Sequence, residues 1–353
     1  MNFLIDVMKT KIPVYLLFFS FLVITISCKK EPDNTDNKPV TLEDIFSDAS
    51  HISNLRCLIV YKDDHIVKEK YFHPGDSLTP HDVRSVTKSV MATLIGIAID
   101  KGYLQSENDS IGDYLLPYVS TIDAVKANIK IRDVLTMTSG ITGNELATPA
   151  EYNDWFSSPD QLTYTLNKPM AHQPGTYFNY NSGAAHLSSA ILSQASGVST
   201  IKFAEQYLFK PLDIETHNWE MDKRDLNNGG AGLRLTPYDM LKIGLLYMNN
   251  GIYNGTQVVS KEWINKASTF KITSNNAQPF GPGYGYFWWI GNTGNHDYFF
   301  ANGYGGQFIV VMPDIKLIVI AANTWSGVSS IIADQQWYST LNMIMNKIIP
   351  LYI

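Results

Sequence analysis

The 353-residue sequence has little of the features that mark several common protein classes. Its formal net charge is −6 and no run of Lys or Arg is longer than Lys29-Lys30, so it lacks the basic patch that nucleic-acid binding requires. Charged residues make up 17% and hydrophobic residues 45%, which is the composition of a folded chain rather than a disordered one. We therefore expect a globular protein without a nucleic-acid partner.

Several catalytic and metal-binding motifs are also missing. The chain holds no G-x-S-x-G, H-E-x-x-H, C-x-x-C or G-x-x-x-x-G-K-[ST] sequence, which removes the support for an α/β-hydrolase, a zinc protease, a thiol oxidoreductase or a P-loop nucleotidase. His81, His172, His186 and His296 are scattered, and such histidines are more often hydrogen-bonded side chains than ligands. We expect neither a metal nor a cofactor.

The N-terminal residues have the pattern of an export signal. Lys9 and Lys11 precede an apolar stretch over residues 12–26, which is shorter than a membrane-spanning helix. It ends in Ser27-Cys28 and resembles the lipobox of bacterial lipoproteins, although Thr25 stands where leucine is usual. We expect a signal peptide over residues 1–27, a lipidated Cys28 and an exported lipoprotein that is membrane-anchored, periplasmic or on the cell surface. The alternative is a plain secretory signal with an incidental cysteine.

The second cysteine is expected to be structural. Lipidation of Cys28 would leave Cys57 as the single remaining thiol, which excludes an intramolecular disulfide. Cys57 lies in the apolar run over residues 55–61, where a small buried side chain is the common case. Residues 28–40 are polar and are predicted to form a tether, and a single folded domain is expected over residues 41–353.

Strand-like segments occur near both ends of this domain, with helical patterns between them. A helix is expected to begin after Thr41, and the section from about 103 to 235 is mostly helical. Predicted strands are 57–61, 65–72, 284–290, 298–301, 307–312 and 317–322, and further helices are expected at 86–99, 236–249, 261–269 and 329–348. This order predicts an α+β fold, an α/β sandwich whose antiparallel sheet is built from the N- and C-terminal segments, flanked by helices, with an inserted mostly helical subdomain.

The spacing S-x-x-K occurs four times, so the spacing alone carries little information. Only Ser85 heads a long apolar stretch, residues 86–99, which predicts a helix buried on nearly every side. The i,i+3 spacing places the Ser85 hydroxyl and the Lys88 amine on one helix face, and burial disfavours the charged ammonium. Ser85 is therefore a candidate nucleophile with Lys88 as its base. The alternative is an ordinary N-cap serine beside a solvent-exposed lysine.

Three segments in this order make the chain similar to the β-lactamase-like serine hydrolases, which include class C β-lactamases, D,D-peptidases, esterases and 6-aminohexanoate-oligomer hydrolases. Residues 85–89 match the S-x-x-K element, a serine nucleophile beside a lysine. Residues 130–141 resemble the family's "ITIRDLLTHTSGL" segment, with Met137 where histidine is frequent. Residues 174–182 resemble its "PGTxFxYSN" stretch. The resemblance covers roughly residues 50–325.

The second catalytic motif of that family implies a role for Tyr180. Its phenol would pass protons between Ser85, Lys88 and the leaving group. Ser182 stands where asparagine is usual, so the element is a Tyr-x-Ser variant, and the resemblance places Ser182 among the groups that bind substrate. A buried tyrosine with a satisfied hydroxyl is the alternative.

The third motif departs further from the family pattern. Ala301-Asn302-Gly303 occupies the place of Lys-Thr-Gly or His-Ser/Thr-Gly, and the lysine that would bind the carboxylate of a penicillin or a D-Ala peptide is missing. The "GYGGQ" form of residues 303–307 resembles the esterase and 6-aminohexanoate branch. It implies substrate contacts at Asn302 and Gly303, and an oxyanion hole from the N–H groups of Ser85 and Tyr304. A plain glycine-rich turn is the alternative.

Together these features predict a serine hydrolase that cleaves an ester or amide through an acyl-enzyme on Ser85, with a small ester, amide or peptide-like substrate. Trp155, Tyr284, Trp288 and Trp289 could line its pocket or pack in its core. Two alternatives stay open. One is a β-lactamase or D,D-peptidase on the same fold, and the other is a non-catalytic, lipid-tethered binding protein, suggested by the altered second and third motifs.

Overall fold

The computed structural model describes residues 39–215, 218–275 and 277–353. The predicted signal peptide, Cys28 and nearly all of the predicted tether lie outside these residues. Contacts join residues 40–353 into one unit. None of the helices in the described ranges has both the length and the apolar character needed to cross a bilayer.

An antiparallel sheet is built from both ends of the described chain. Its eight strands run in the order β2-β1-β12-β11-β10-β9-β8-β7, and two pairs of short strands, β3-β4 and β5-β6, lie outside it. The strands are β1 Leu55–Lys62, β2 His65–Tyr71, β3 His81–Asp82, β4 Arg234–Leu235, β5 Ile252–Tyr253, β6 Thr256–Gln257, β7 Ile272–Thr273, β8 Gly283–Tyr284, β9 Trp289–Thr293, β10 His296–Gly303, β11 Gln307–Met312 and β12 Leu317–Asn323.

Helices pack around this sheet, and a helical region separates β3 from β4. The helices are α1 Leu42–Ala49, α2 Val86–Asp100, α3 Gly112–Leu115, α4 Ala124–Ala127, α5 Ile131–Leu135, α6 Ala150–Ser157, α7 Gln161–Asn167, α8 Ser182–Ser196, α9 Thr200–Ala204, α10 Pro237–Met248, α11 Lys261–Ala267 and α12 Ser330–Met343. The predicted α+β class, with a large antiparallel sheet flanked by helices, is confirmed.

The first strand of the sheet, β1, pairs with both the second strand and the last. The hairpin β1–β2 turns on Asp63 and Asp64, whose φ angles of 49° and 68° are those of a two-residue turn that matches strand twist. On its other edge β1 pairs with β12, with Leu58 opposite Ala321 and Val60 opposite Val319. Every residue of β12 is buried, which is the pattern of a strand covered on both faces.

Neighbouring residues of β11 show the layers on either face. The ring of Phe308 lies 6.4 Å from the ring of Trp337 on α12. The side chain of Ile309 points the other way, where a Cβ added to Gly244 of α10 would lie 3.3 Å from its Cγ2. Because successive strand residues face opposite sides, α12 and α10 cover opposite faces of the sheet.

Helix α2 lies in the middle of the core. All of its residues from Val86 to Ala98 are buried, as the apolar stretch predicted. On its outer side the indole of Trp263 donates to the Ala92 carbonyl at 2.9 Å, and a Cβ at Gly96 would lie 2.1 Å from Trp263 Cδ1. A helix packed this tightly holds the residue at its N-terminus in a fixed position.

One predicted strand is wrong in part. Residues 284–290 do not form a continuous strand, since β8 ends at Tyr284 and β9 begins at Trp289. Between them Phe287 adopts a φ of 58°, and its N–H donates to the Leu135 carbonyl at 2.8 Å. A tertiary hydrogen bond to the helical region therefore overrides the local strand preference of these aromatic residues.

Candidate active site

Ser85 lies at the junction between the short strand β3 and helix α2. Its backbone has φ −70° and ψ −5°, and its side chain makes no capping bond to the helix. Lys88 is only 1% exposed. Both facts contradict the alternative of an N-cap serine beside a solvent-exposed lysine. The Ser85 hydroxyl is free of the helix backbone and remains half-buried at the surface of the molecule.

The amine of Lys88 has three oxygen partners. Its Nζ lies 2.9 Å from Ser85 Oγ, 2.9 Å from Ser182 Oγ and 2.7 Å from the Gly230 carbonyl oxygen. Three acceptors suit an ammonium, and loss of one proton leaves a lone pair that can accept from the Ser85 hydroxyl. Burial lowers the pKa of Lys88 from 10.5 to about 7. The neutral amine is therefore accessible near neutral pH.

Ser182 and Glu145 extend this network on the side away from Ser85. Ser182 is the first residue of α8, and its Oγ accepts from Lys88 while it donates to Glu145 Oε2 at 2.7 Å. The Ser182 N–H donates to Glu145 Oε1 at 2.6 Å. The structure places Ser182, which the resemblance groups with the substrate-binding residues, between the lysine and a carboxylate.

Sequence reasoning missed Glu145. It belongs to an irregular loop 37 residues before Ser182, and no local motif singles it out. Burial raises the pKa of its carboxyl group, whereas the charge of Lys88 lowers it. In return the Glu145 carboxylate favours the protonated form of Lys88. The two groups therefore shift each other's pKa, and Ser182 is hydrogen-bonded to both.

The carbonyl of Gly230 is held by a buried loop. The N–H groups of Gly230 and Ala231 donate to Asn228 Oδ1 at 2.8 and 3.1 Å. The Gly229 N–H donates to His186 Nδ1 at 3.1 Å, and His186 Nε2 lies 3.0 Å from Asp222 Oδ2. Because His186 Nδ1 accepts a hydrogen bond, Nε2 carries the ring hydrogen and donates a hydrogen bond to Asp222. His186 is thus a positioning residue for the third partner of Lys88.

Tyr180 lies over the same lysine. Lys88 Nζ is 4.9 Å from the centroid of its ring, and the ring stacks on Trp289 at 5.8 Å. Burial raises the pKa of the Tyr180 phenol, and a hydrogen bond with Ser85 works in the opposite direction. The structure therefore brings Ser85, Lys88 and Tyr180 together, as their motifs predicted.

The glycine-rich turn after β10 lies against the nucleophile loop. A Cβ at Gly303 would lie 2.3 Å from the Val83 carbonyl oxygen, so only glycine allows this approach. Among the described residues, no acceptor is bonded to the backbone N–H of Ser85 or of Tyr304. An oxyanion hole requires two free donors that converge, and the approach of Gly303 to Val83 brings together the two segments that carry these N–H groups. Asn302, by contrast, accepts from Trp337 Nε1 at 2.7 Å and so points towards α12.

The aromatic candidates divide between the core and the surroundings of the site. Trp288 is fully buried against Tyr247, with ring centroids 4.4 Å apart, and Tyr284 packs edge-on against Trp289 at 4.8 Å. Both therefore belong to the core rather than to a pocket wall. Trp155 lines a cavity of about 20 Å³ that also touches Glu145, next to the network rather than over Ser85. Within the described ranges, no cluster of His, Cys, Asp and Glu could hold a metal ion.

Comparison with known proteins agrees with this arrangement. The sequence model of the Beta-lactamase family matches residues 57–331. A 6-aminohexanoate-dimer hydrolase from Paenarthrobacter ureafaciens is 24% identical over 293 residues, which cover 76% of this chain and 72% of that protein.

Solved structures show the same fold. A Bacillus anthracis protein provisionally assigned as a 6-aminohexanoate-dimer hydrolase matches with a TM-score of 0.68 and 17% identity, covering 88% of this chain and 84% of its own. An octameric penicillin-binding protein homologue from Pyrococcus abyssi matches with a TM-score of 0.69 and 21% identity, covering 87% and 78%.

The fold and the matched residues define a hydrolase of the β-lactamase fold. The chain belongs to the β-lactamase family, and the resemblance drawn from its motifs is confirmed.

Proposed function

We propose that this protein is a serine hydrolase that cleaves an ester or amide through an acyl-enzyme on Ser85. The observation that carries the proposal is the 2.9 Å contact between Ser85 Oγ and the buried Lys88 Nζ. A serine hydroxyl needs such a base because it is a weak nucleophile at its own pKa. A lysine whose pKa lies near 7 supplies it at neutral pH.

In the first half-reaction the Ser85 oxygen attacks the substrate carbonyl carbon while its proton passes to Lys88. The negative oxygen of the tetrahedral intermediate accepts from the N–H groups of Ser85 and Tyr304. When the intermediate collapses, the bond to the leaving alcohol or amine breaks. The proton then moves from Lys88 through the Tyr180 hydroxyl to the leaving group, and the acyl-enzyme remains.

In the second half-reaction water replaces the leaving group. Its oxygen attacks the acyl carbon, and its proton passes through Tyr180 to Lys88. The bond to Ser85 Oγ breaks, the proton returns to that oxygen, and the carboxylic acid leaves. Ser182 and Glu145 hold the Lys88 amine in line with Ser85 throughout, since Lys88 contacts Ser182 and Ser182 is tied to Glu145 by two hydrogen bonds.

The relatives and the third motif favour a linear ester or amide over a β-lactam or a D-Ala-terminated peptide. The P. ureafaciens relative is named for hydrolysis of 6-aminohexanoate dimer, which is a linear amide. Ala301 stands where the penicillin-recognising members carry lysine, and its side chain is buried. We therefore propose an esterase or amidase rather than a β-lactamase or D,D-peptidase.

The test is labelling followed by a substrate panel. A fluorophosphonate probe should label the purified protein at Ser85, as mapped by mass spectrometry of its peptides, and Ser85→Ala should not be labelled. A protein that is not labelled at all would be the non-catalytic binding protein. An aryl ester, a 6-aminohexanoate dimer, a chromogenic cephalosporin and a D-Ala-D-Ala peptide then separate the hydrolase classes, and turnover of the last two alone would contradict the proposed class.

We also propose that Cys28 is lipidated and anchors the exported protein to a membrane. The support is the sequence pattern that ends at Ser27-Cys28. Cys28→Ser should abolish incorporation of an alkyne-labelled fatty acid and move the protein to the soluble fraction, whereas Cys57→Ser should do neither. If the wild type and both variants were all secreted without incorporating the fatty acid, the segment would be a plain signal peptide.

A further inference from the structure

The residue directly before the nucleophile has an unusual conformation. Arg84 adopts a φ of 50°, in the left-handed region that non-glycine residues rarely occupy. Strain of this kind persists where the surroundings impose it, and it concentrates at functional sites. The consequence here is that the Arg84 side chain and the Ser85 hydroxyl are presented from one tight turn.

The guanidinium of Arg84 lies between two aromatic rings. Its central carbon is 4.4 Å from the ring centroid of Trp325 and 5.2 Å from that of Tyr152. Trp325 follows β12 and packs beside Tyr304, with centroids 6.3 Å apart. Tyr152 belongs to α6 of the helical region. Arg84 therefore bridges the sheet side and the helical side of the molecule beside Ser85.

Few polar partners satisfy this cation. Its side chain is only 13% exposed, yet the Asp82 carboxylate oxygen is 3.9 Å from Nη1, which is longer than a hydrogen bond. In the described part of the chain, neither the buried Arg84 Nε nor the buried Tyr152 hydroxyl makes a hydrogen bond of good geometry, although the two side chains are close enough for Arg84 to lower the pKa of the phenol. Buried arginines normally form short paired hydrogen bonds to an anion, so this one is poised to accept a further partner.

The charge of Arg84 acts on the reacting groups. It lowers the pKa of Lys88, of Glu145 and of Tyr180, and also that of Tyr304. The other charged groups around it are Asp82, Glu220 and Arg234. Burial raises the pKa of the Asp82 and Glu220 carboxyl groups, whereas the charge of Arg84 lowers the pKa of both.

We propose that Arg84 binds a carboxylate of the substrate, so that the preferred substrate is an ester or amide that also carries a carboxylate. This inference rests on the proposed function. The lysine that performs this task elsewhere in the family is absent at Ala301, and Arg84 supplies a planar fork that suits a carboxylate. The rings of Trp325 and Tyr152 fix the plane of that fork.

The test compares paired substrates. On the acyl side, p-nitrophenyl monoesters of hexanedioic, heptanedioic and octanedioic acids are compared with the same compounds capped as methyl esters, with release of p-nitrophenolate as the readout. On the leaving-group side, the acetyl ester of 4-hydroxyphenylacetic acid is compared with that of 4-hydroxyphenylacetamide by titration of acid. In one of the two arms, wild-type kcat/KM should favour the carboxylate by about tenfold to a hundredfold, the range for a hydrogen-bonded charge.

Variants assign that preference to Arg84. In Arg84→Met the ratio of carboxylate to capped substrate should fall to about one, and Arg84→Lys should lie between, since it keeps the charge and loses the fork. Both replacements keep a non-glycine residue in the strained turn. Arg132→Met, which removes a half-exposed arginine of α5, should leave the ratio unchanged. Comparing ratios within each enzyme removes any effect of Arg84 on the pKa of Lys88.

Two outcomes would overturn the inference. One is a wild-type enzyme that hydrolyses the capped esters and shows no carboxylate preference in either arm, which leaves the proposed hydrolase intact. The other is a preference that survives in Arg84→Met. Failure of the hydrolase proposal itself is different: wild type and Ser85→Ala would then turn over every ester equally slowly.

Discussion

Glu145 and Ser182 are joined by two hydrogen bonds, one to each carboxylate oxygen, at 2.6 Å from the Ser182 N–H and 2.7 Å from its Oγ. The same Oγ accepts from Lys88 at 2.9 Å. A carboxylate that stabilises the ammonium of a general base has a cost for catalysis, because only the neutral amine can take a proton. Its benefit is that, through Ser182, it holds the Lys88 amine in a fixed position.

Glu145→Gln should separate charge from position. The amide keeps the shape and most of the hydrogen bonding, and it removes the negative charge that raises the pKa of Lys88. The acidic limb of the kcat/KM profile should therefore move to lower pH. Glu262→Gln, at an exposed position on α11, is the control. An unmoved limb would show that Glu145 does not act on Lys88.

The wild-type pH profile follows from the same base. Lys88 is active when neutral, so kcat/KM should rise with pH through about 7 and then level off. Lys88→Arg stays charged at all accessible pH values and should lose at least about a thousandfold, the order found when a member of a catalytic unit is removed. A rising limb centred near pH 4 or near pH 10 in the wild type would point to another base.

Ser182 can be tested with the residue that the family usually has. Ser182→Ala removes one of the three partners of the Lys88 amine and one of the two hydrogen bonds of the Glu145 carboxylate, which keeps the bond from the backbone N–H of residue 182. It should reduce kcat by about tenfold to a hundredfold, the cost of weakening a buried polar network. Ser182→Asn offers a carbonyl to Lys88 and an N–H to Glu145, and should retain most of the activity. Steady-state kinetics of the two variants would measure this difference in activity, and their melting temperatures would show whether each variant is folded. Equal losses of kcat in Ser182→Ala and Ser182→Asn would contradict a bridging role for Ser182.

Gly303 and Gly96 form a matched pair of tightly packed glycines. Gly303→Ala should push the turn of β10 away from the Val83 carbonyl, and Gly96→Ala should push Trp263 away from α2. Each should lower the free energy of unfolding by about 1–3 kcal/mol through overpacking. Only Gly303→Ala should also reduce kcat of the folded protein, because only it displaces Tyr304 from Ser85. Chemical denaturation and active-site titration would distinguish the two effects.

The proximity of Ser85 and Lys88 could be predicted because its signal is local. A long apolar stretch after Ser85 predicts a buried helix, and three residues of helix fix where Lys88 must lie. Strands β11 and β12 were equally accessible, since each is almost entirely apolar. Glu145 and the Gly230 carbonyl could not be predicted as parts of the site. They reach Ser182 and Lys88 only through tertiary contacts, across 37 and 142 residues of sequence.

The roles of the third motif were harder to predict for another reason. Asn302 belongs to the expected segment, yet alternation along β10 turns its side chain towards Trp337 on α12. Residues 285–288 failed as a strand because one hydrogen bond to Leu135 fixes Phe287 with a positive φ. Neither the direction of the Asn302 side chain nor the positive φ of Phe287 can be inferred from the composition of its own segment.

The pairing of β1 with β12 determines when the protein can complete its fold during synthesis. Ser85, Lys88 and Tyr180 are all made within the first half or so of the chain, but β1 waits for residues 317–323 before its inner edge is paired. Contacts of such long sequence separation form late and slowly. A ribosome-bound chain would thus carry the proposed nucleophile Ser85 long before the sheet that supports it is complete. If the proposed function holds, no hydrolytic activity should appear until the last strand has been released.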